Sequence, residues 1–191
     1  GIRARILWKE ELISSGDRVM ITKNNYFWAK EYQDLDFIAN GDILEITRLY
    51  GQHEMYGFHF AKALLRSVDY NWEIEALLWL DTLTTDNPEA NYELQKELFA
   101  RVAEDYPEIR NRKTLIQKIY ESPYYNALQI RFAYAVTCHK AQGGQWKHVY
   151  IDTSAIHEDQ ERMSIPAERK EYIRWLYTAT TRATEKIYLL R

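Results

Sequence analysis

Thr137, His139 and Lys140 lie within four positions of one another, and Gln142, Gly143, Gly144 and Gln145 follow directly, in the stretch VTCHKAQGGQW. A hydroxyl, an imidazole and an ammonium held together suit the oxygens of a phosphate. Two adjacent glycines let the backbone approach a ligand closely or adopt positive φ. Further along, in YTATTRATEKIYLL, Arg182 stands among small residues at the end of a helical stripe and just before a strand. An arginine there can point out of a domain edge. Each segment also has a plainer reading. The glycines make a turn, His139 and Lys140 begin a solvated helix, and Arg182 complements a helix C-terminus.

The elements that position these residues follow from periodicity. Residues 129–137 alternate Phe132, Tyr134 and Val136 against Ala133, Ala135 and Thr137, which predicts a strand. Residues 148–152 and 186–190 predict two more, and residues 168–181 a helix with Tyr172, Trp175, Leu176 and Ala179 on one stripe and Pro166 in its first turn. Strand, elbow, strand, helix, strand describes an α/β layer with a mostly parallel sheet. In such sheets ligands sit outside the carboxyl ends of strands, where Thr137, His139 and Lys140 would then lie.

Upstream, residues 17–22 read as a short strand and Asn24-Asn25 as a loop. A turn at Asn40-Gly41 opens a β-rich section with strands over 43–49, 56–68 and 72–80, and a hairpin turn at Asp69-Tyr70-Asn71. This spacing predicts a small barrel of roughly SH3 size. Two helices follow, over 89–105 and 109–121, punctuated by Pro107 and Pro123. The simplest assembly is one α/β domain from residues 1–35 and 122–191, a β-barrel inserted at 36–85 and a helical insertion at 86–121.

The whole chain narrows the function classes. Its 191 residues suffice for one domain with a large insertion. A net charge of −3 excludes a histone-like binder of nucleic acid but leaves room for a local basic groove. The 15 tyrosines and 6 tryptophans serve cores and base stacking equally well. Cys138 is the single cysteine, so no internal disulfide forms, which fits a reducing, cytoplasmic setting. The sequence has no signal peptide and no apolar run of transmembrane length, so no membrane partner is expected. Both ends, GIRARILWKEEL and YLLR, read as cut from something larger.

Taken together, AYAVTCHKAQGGQWKHVYID and LYTATTRATEKIYLL resemble motifs V and VI of superfamily 1 helicases, most closely the RecD-like group and more distantly the UvrD-like enzymes. GDRVMITKNNY with FIANGDILEI resembles the RecD-like stretch where the second RecA-like domain leads into an inserted SH3-like barrel. The resemblance implies a RecA-like fold for the α/β part. It implies that Arg182 is an arginine finger reaching the γ-phosphate of ATP held by the preceding RecA-like domain. It also implies that Thr137, His139 and Lys140 hold single-stranded DNA, with Lys23, Asn24 and Asn25 as further contacts. Gln142, Gly143 and Gly144 match the turn that joins the DNA side to the nucleotide side. The resemblance places Gln142, Gly143, Gly144 and Gln145 on the ATP side, with Gln145 standing where UvrD-like enzymes carry a glutamate that touches the ribose.

A P-loop needs Gly-Lys-Ser/Thr to cradle phosphates and position Mg²⁺, and no glycine here precedes a lysine. This chain alone is therefore not expected to hold ATP or Mg²⁺ or to hydrolyse ATP. Both cofactors belong to the full-length enzyme, and the expected partners are single-stranded DNA, an N-terminal P-loop domain of the same chain, and repair or nuclease subunits. The rival reading is a non-catalytic nucleic-acid or protein-binding module derived from a helicase domain; RNA in place of DNA is a third. Other constellations carry less. Cys138 and His139 are adjacent and point apart, which spoils a thiol–imidazole dyad. His53, Glu54 and His59 lack a second ligand pair for a metal, and His157 to Arg162 read as a solvated loop.

Overall fold

The structure is a computed structural model that describes residues 8–32, 35–84, 88–139, 141–154 and 165–190. It divides the chain into two compact units, residues 1–134 and 135–191. Among the described residues no helix is long and apolar enough to cross a membrane.

The first unit is a closed barrel of five strands: β1 (Arg18–Ile21), β2 (Ile43–Met55), β3 (Phe58–Ser67), β4 (Glu73–Trp79) and β5 (Leu128–Phe132). Neighbours pair antiparallel except β4 and β5, which run parallel with Leu78 opposite Leu128. Alternation fills the interior, so that Val19, Ile21, Leu44, Ile46, Ala63, Leu65, Ile74, Ala76, Leu78 and Ile130 are fully buried. The run Ala76 to Leu80 is apolar without alternation because β4 is covered on both faces. Its outward Leu77 and Trp79, with Phe58 and Phe60 of β3, pack against α1 (Pro88–Ala103) and α2 (Arg112–Tyr120). Leu94, Leu98 and Val102 make that seam on α1 by their helical spacing. Asn111 caps α2, its side chain accepting from the N–H groups of Lys113 (2.9 Å) and Thr114 (3.3 Å).

Three sequence expectations change here. First, residues 18–21 and 128–132, assigned by pattern to an α/β layer, are barrel staves. The tight turn at Asn40-Gly41 folds β2 back beside β1, with Gly41 N–H donating to Ile21 C=O at 2.8 Å. β1 then pairs on its other edge with β5. Second, the strand expected over 129–137 ends at Phe132. Ala133 N–H makes a last bond to Arg18 C=O (2.9 Å), and the chain then bends as the Tyr134 hydroxyl donates to the Asp17 carboxylate. Third, Tyr56 begins no strand. With Gly57 it forms the β2–β3 turn, at φ 57° and 76°, the conformation that two-residue hairpins demand. A tyrosine tolerates it because its hydroxyl donates to Asp105 and its ring stands edge-on to Tyr124, 5.6 Å away. Burial and the Asp105 hydrogen bond push the Tyr56 phenol well above the usual tyrosine range.

Two polar knots fasten the barrel. The Thr82 hydroxyl donates to Trp79 C=O (2.7 Å) and accepts from Ile130 N–H (3.0 Å), tying the turn after β4 to β5. Asp17, fully buried, receives Lys9 Nζ at 2.7 Å and Ser14 N–H at 2.8 Å as well as Tyr134.

In the second unit β6 (Trp146–Asp152) and β7 (Ala183–Leu190) pair parallel, with Tyr150 opposite Tyr188, and α3 (Pro166–Thr180) connects them. The parallel pair needs such a crossover. Ile151 and Ala179 are its buried apolar residues, and Pro166 occupies the first turn of α3 as predicted. The chain is thus mixed α/β, with a closed five-stranded barrel and a separate two-stranded sheet. A RecA-like parallel sheet does not form among the described residues, because the two strands expected to extend it satisfy their ladders inside the barrel.

Replacing Asp17 with alanine would leave Lys9, Ser14 N–H and the Tyr134 hydroxyl without their shared acceptor. The expected loss is about 3–5 kcal/mol, read from the urea unfolding midpoint. A pH test addresses Asp81, which accepts from His59 N–H (2.7 Å), Trp79 Nε1 (3.1 Å) and His59 Nδ1 (3.0 Å). The Asp81 hydrogen bond and charge raise the His59 pKa above its ordinary 6.5. The pair therefore stabilises the fold fully below 6.5, and this contribution fades as pH rises through the higher folded value. His59→Gln flattens the stability profile between about pH 5 and 8, measured by chemical denaturation.

Candidate nucleotide and nucleic-acid sites

The elbow is a single tight turn. Ala141 N–H bonds to Thr137 C=O (3.1 Å), Gln142 N–H to His139 C=O (3.3 Å) and Gly144 N–H to Ala141 C=O (3.2 Å). These bonds use only backbone groups, which leaves the side chains of Thr137, His139, Gln142 and Gln145 exposed. Lys140 lies outside the described residues.

The two glycines are required for different reasons. Gly143 sits at φ +88°, in the left-handed region, with open space around it. A Cβ at Gly144 would lie 2.3 Å from the Trp146 ring, which rests against the bare backbone. Trp146 in turn donates its N–H to Arg182 C=O at 2.9 Å, so the start of β6 is stitched to the residue preceding β7.

Arg182 is half-buried and folds over this turn. Its Nη1 donates to Gly144 C=O (3.3 Å), its Nε to Thr178 C=O (3.1 Å) and its Nη2 to the Thr181 hydroxyl (3.1 Å). Thr181 accepts that bond while donating its own hydroxyl proton to Tyr177 C=O, 2.9 Å away. The threonines of TATT, poor helix formers in general, here satisfy helix-end carbonyls and set a shelf for the guanidinium. Among the described residues no carboxylate pairs with Arg182. A guanidinium has five N–H donors, so two remain for an incoming acceptor. Cys138 senses this charge. Burial pushes its thiol up, and the nearby Arg182 cation pulls it down by a lesser amount. Its Sγ lies 3.5 Å from Trp175 C=O, as a packed side chain rather than a nucleophile beside a base.

The second unit therefore brings together Arg182, Gly144 and the backbone of the elbow. Lys23, Asn24 and Asn25 belong to the first unit, in the loop after β1. Asn25 is committed to that loop. Its Nδ2 donates to Asn126 C=O (2.8 Å), and its Oδ1 accepts from the N–H groups of Phe27 (3.1 Å) and Trp28 (3.2 Å). Asn24 Oδ1 accepts from Asn40 N–H at 2.7 Å. Lys23 Nζ donates to Gln95 Oε1 at 2.8 Å and faces a cavity. Burial holds its pKa below the usual lysine range.

Sequence reasoning missed Trp146, Thr178 and Thr181 as the residues that hold the elbow and the arginine. The spacing QGGQW and the TATT run were the available signals. Among the described residues no group of three or more His, Cys, Asp or Glu is gathered as metal ligands. Residues 157–162 lie outside the described residues.

Residues 132–190 match the family model of the UvrD-like helicase C-terminal domain. The match begins at the end of β5 and runs through the elbow, β6, α3 and β7, under a third of the chain. It supports kinship of this segment with superfamily 1 helicases. The chain matches no curated protein.

The Gly144 geometry gives a direct test. Gly144→Ala forces the Trp146 ring off the elbow and into water, so tryptophan emission shifts to the red. Adding Trp146→Phe abolishes that shift, and an unchanged spectrum in Gly144→Ala would disprove the contact.

Proposed function

We propose that this chain is the second motor half of an ATP-dependent, RecD-like DNA helicase, working beside a P-loop domain that it does not itself contain. The observation that carries the reading is an arginine that pairs with no carboxylate among the described residues, shelved on the turn of a segment similar to a helicase C-terminal domain. A guanidinium confined among neutral carbonyls keeps its charge available, and its two remaining donors suit the oxygens of a phosphoryl group.

In this reading Arg182 contacts the γ-phosphate across a cleft formed with the P-loop domain and neutralises charge that develops there. ATP, when bound with Mg²⁺, supplies the phosphoryl group whose transfer to water drives the motor. Thr178, Thr181 and Gly144 act as positioning residues that fix the height and direction of the guanidinium. The exposed Thr137 and His139, with Lys140, grip the backbone of single-stranded DNA on the other side of the elbow. The two tasks share one short piece of chain, so displacement of either side is felt by the other. Association with repair or nuclease subunits belongs to the same proposal.

Arg182→Ala, made in a protein that carries the companion P-loop domain, is expected to lower ATP turnover by about 10³–10⁵. Affinity for single-stranded DNA, read by fluorescence anisotropy, stays nearly intact. Full turnover in the variant would refute the finger and favour the docking-module reading.

A further inference from the structure

A second meeting of cation and aromatic surface lies in the barrel unit. A cavity of about 300 Å³ opens between the loop after β1, the flank of α1 and the connection from α2 to β5. Lys23 stands exposed on its wall, and its hydrogen-bond partner is the neutral Gln95 side chain, 2.8 Å away. Among the described residues no carboxylate lines the cavity, although the chain as a whole carries more acids than bases. The cavity wall takes some of the water from this ammonium, and no carboxylate among the described lining residues faces it, so an anion placed beside it is favoured. Lys30 supplies a second positive charge, over the ring of Phe27 at 5.6 Å. Glu121, the acid that senses Lys30, is engaged at 2.9 Å by Lys118.

The rest of the lining is flat and aromatic. Tyr120 and Tyr125 stack at 5.4 Å, and Tyr120 keeps 55% of its surface exposed. On another side Tyr26 is stacked on Phe37 at 5.2 Å and is 58% exposed. Rings braced from behind and open in front are stacking surfaces for a base, and this preference is tolerant of sequence. The volume stands at the lower end of small-ligand sites, roughly 300–1,000 Å³, which suits one nucleotide and excludes a duplex.

We infer that this cavity holds one nucleotide of a single-stranded nucleic acid, its base against Tyr120 and its phosphate toward Lys23 and Lys30. The inference rests on the single-strand reading above, which already includes Lys23, and adds a base contact in the barrel unit through Tyr120 of the helical section, which the motor reading leaves without a role.

The test uses the full chain, a fluorescent oligothymidylate and anisotropy over a salt series, with the variants Tyr120→Ala, Tyr120→Phe, Lys23→Gln and His139→Ala. Tyr120→Ala is expected to weaken binding roughly 5- to 150-fold, while Tyr120→Phe, which keeps the ring, binds as the parent does. Lys23→Gln lowers the slope of log affinity against log salt by about 0.7. A 5-bromouracil-substituted oligonucleotide photocrosslinks to Tyr120 or Tyr26 in the parent. If the Tyr120 and Lys23 variants match the parent while His139→Ala is weakened, the cavity is refuted and the elbow reading stands. If no variant differs from the parent, both fall. Thymidine monophosphate binding as tightly as the oligonucleotide would overturn the strand in favour of a free nucleotide.

Discussion

The pairing of β1 with β5 is the constraint on which the larger unit depends. These strands are separated by more than a hundred residues, and their antiparallel register, Val19 opposite Phe132, closes the barrel. Once it is made, β5 must run parallel to β4. A parallel neighbour cannot be reached by a hairpin and needs a connection of a dozen or more residues, usually helical. The helices α1 and α2 are that connection. They are a topological necessity of closure as much as an inserted module, and they repay it by covering Leu77, Trp79, Phe58 and Phe60 on the outside of the barrel.

The same closure explains where the polar groups go. The loop after β1 and the segment before β5 are brought side by side, so Asn126 C=O accepts from both Asn25 Nδ2 and Trp28 Nε1, each at 2.8 Å. Asp17, at the head of β1, meets Tyr134, just past β5. In the second unit a comparable economy operates on a smaller scale. The carbonyls of Gly144 and Thr178 with the Thr181 hydroxyl orient the guanidinium, and the missing side chain at Gly144 lets Trp146 lie flat. The elbow's chemistry thus depends on what its glycines lack.

Much of this was legible in the sequence. Alternation located β2, β3 and β4, and helical spacing of Leu94, Leu98 and Val102 located α1, because local periodicity records which face is buried. The turn at Asn40-Gly41 and the proline of α3 were equally plain. Partner choice was not. Residues 18–21 and 128–132 read correctly as strands, yet a strand's pattern says which side is apolar and not which neighbour it joins. The early end of β5 was hidden because Tyr134 and Val136 continue the alternation, while a buried carboxylate far away in sequence draws Tyr134 aside. Asn25 looked available for a ligand by type. Only the fold reveals that its amide oxygen serves Phe27 and Trp28 and that its Nδ2 donates to Asn126. Arg182 and the Gly-Gly elbow were singled out by residue type together with the resemblance to helicase motifs, whereas Gln95, Tyr120 and Tyr125 could not be linked to Lys23 without coordinates.

The two sheets differ in a way that bears on how the molecule ages. Every barrel stave has a neighbour on each side over part of its length, although β2 beyond Ile46 pairs with β3 alone. β6 and β7 have only one another among the described residues, and each presents a free margin beside exposed Tyr150, Ile187 and Leu189. Self-association in concentrated solution should accordingly involve the open margins of β6 and β7.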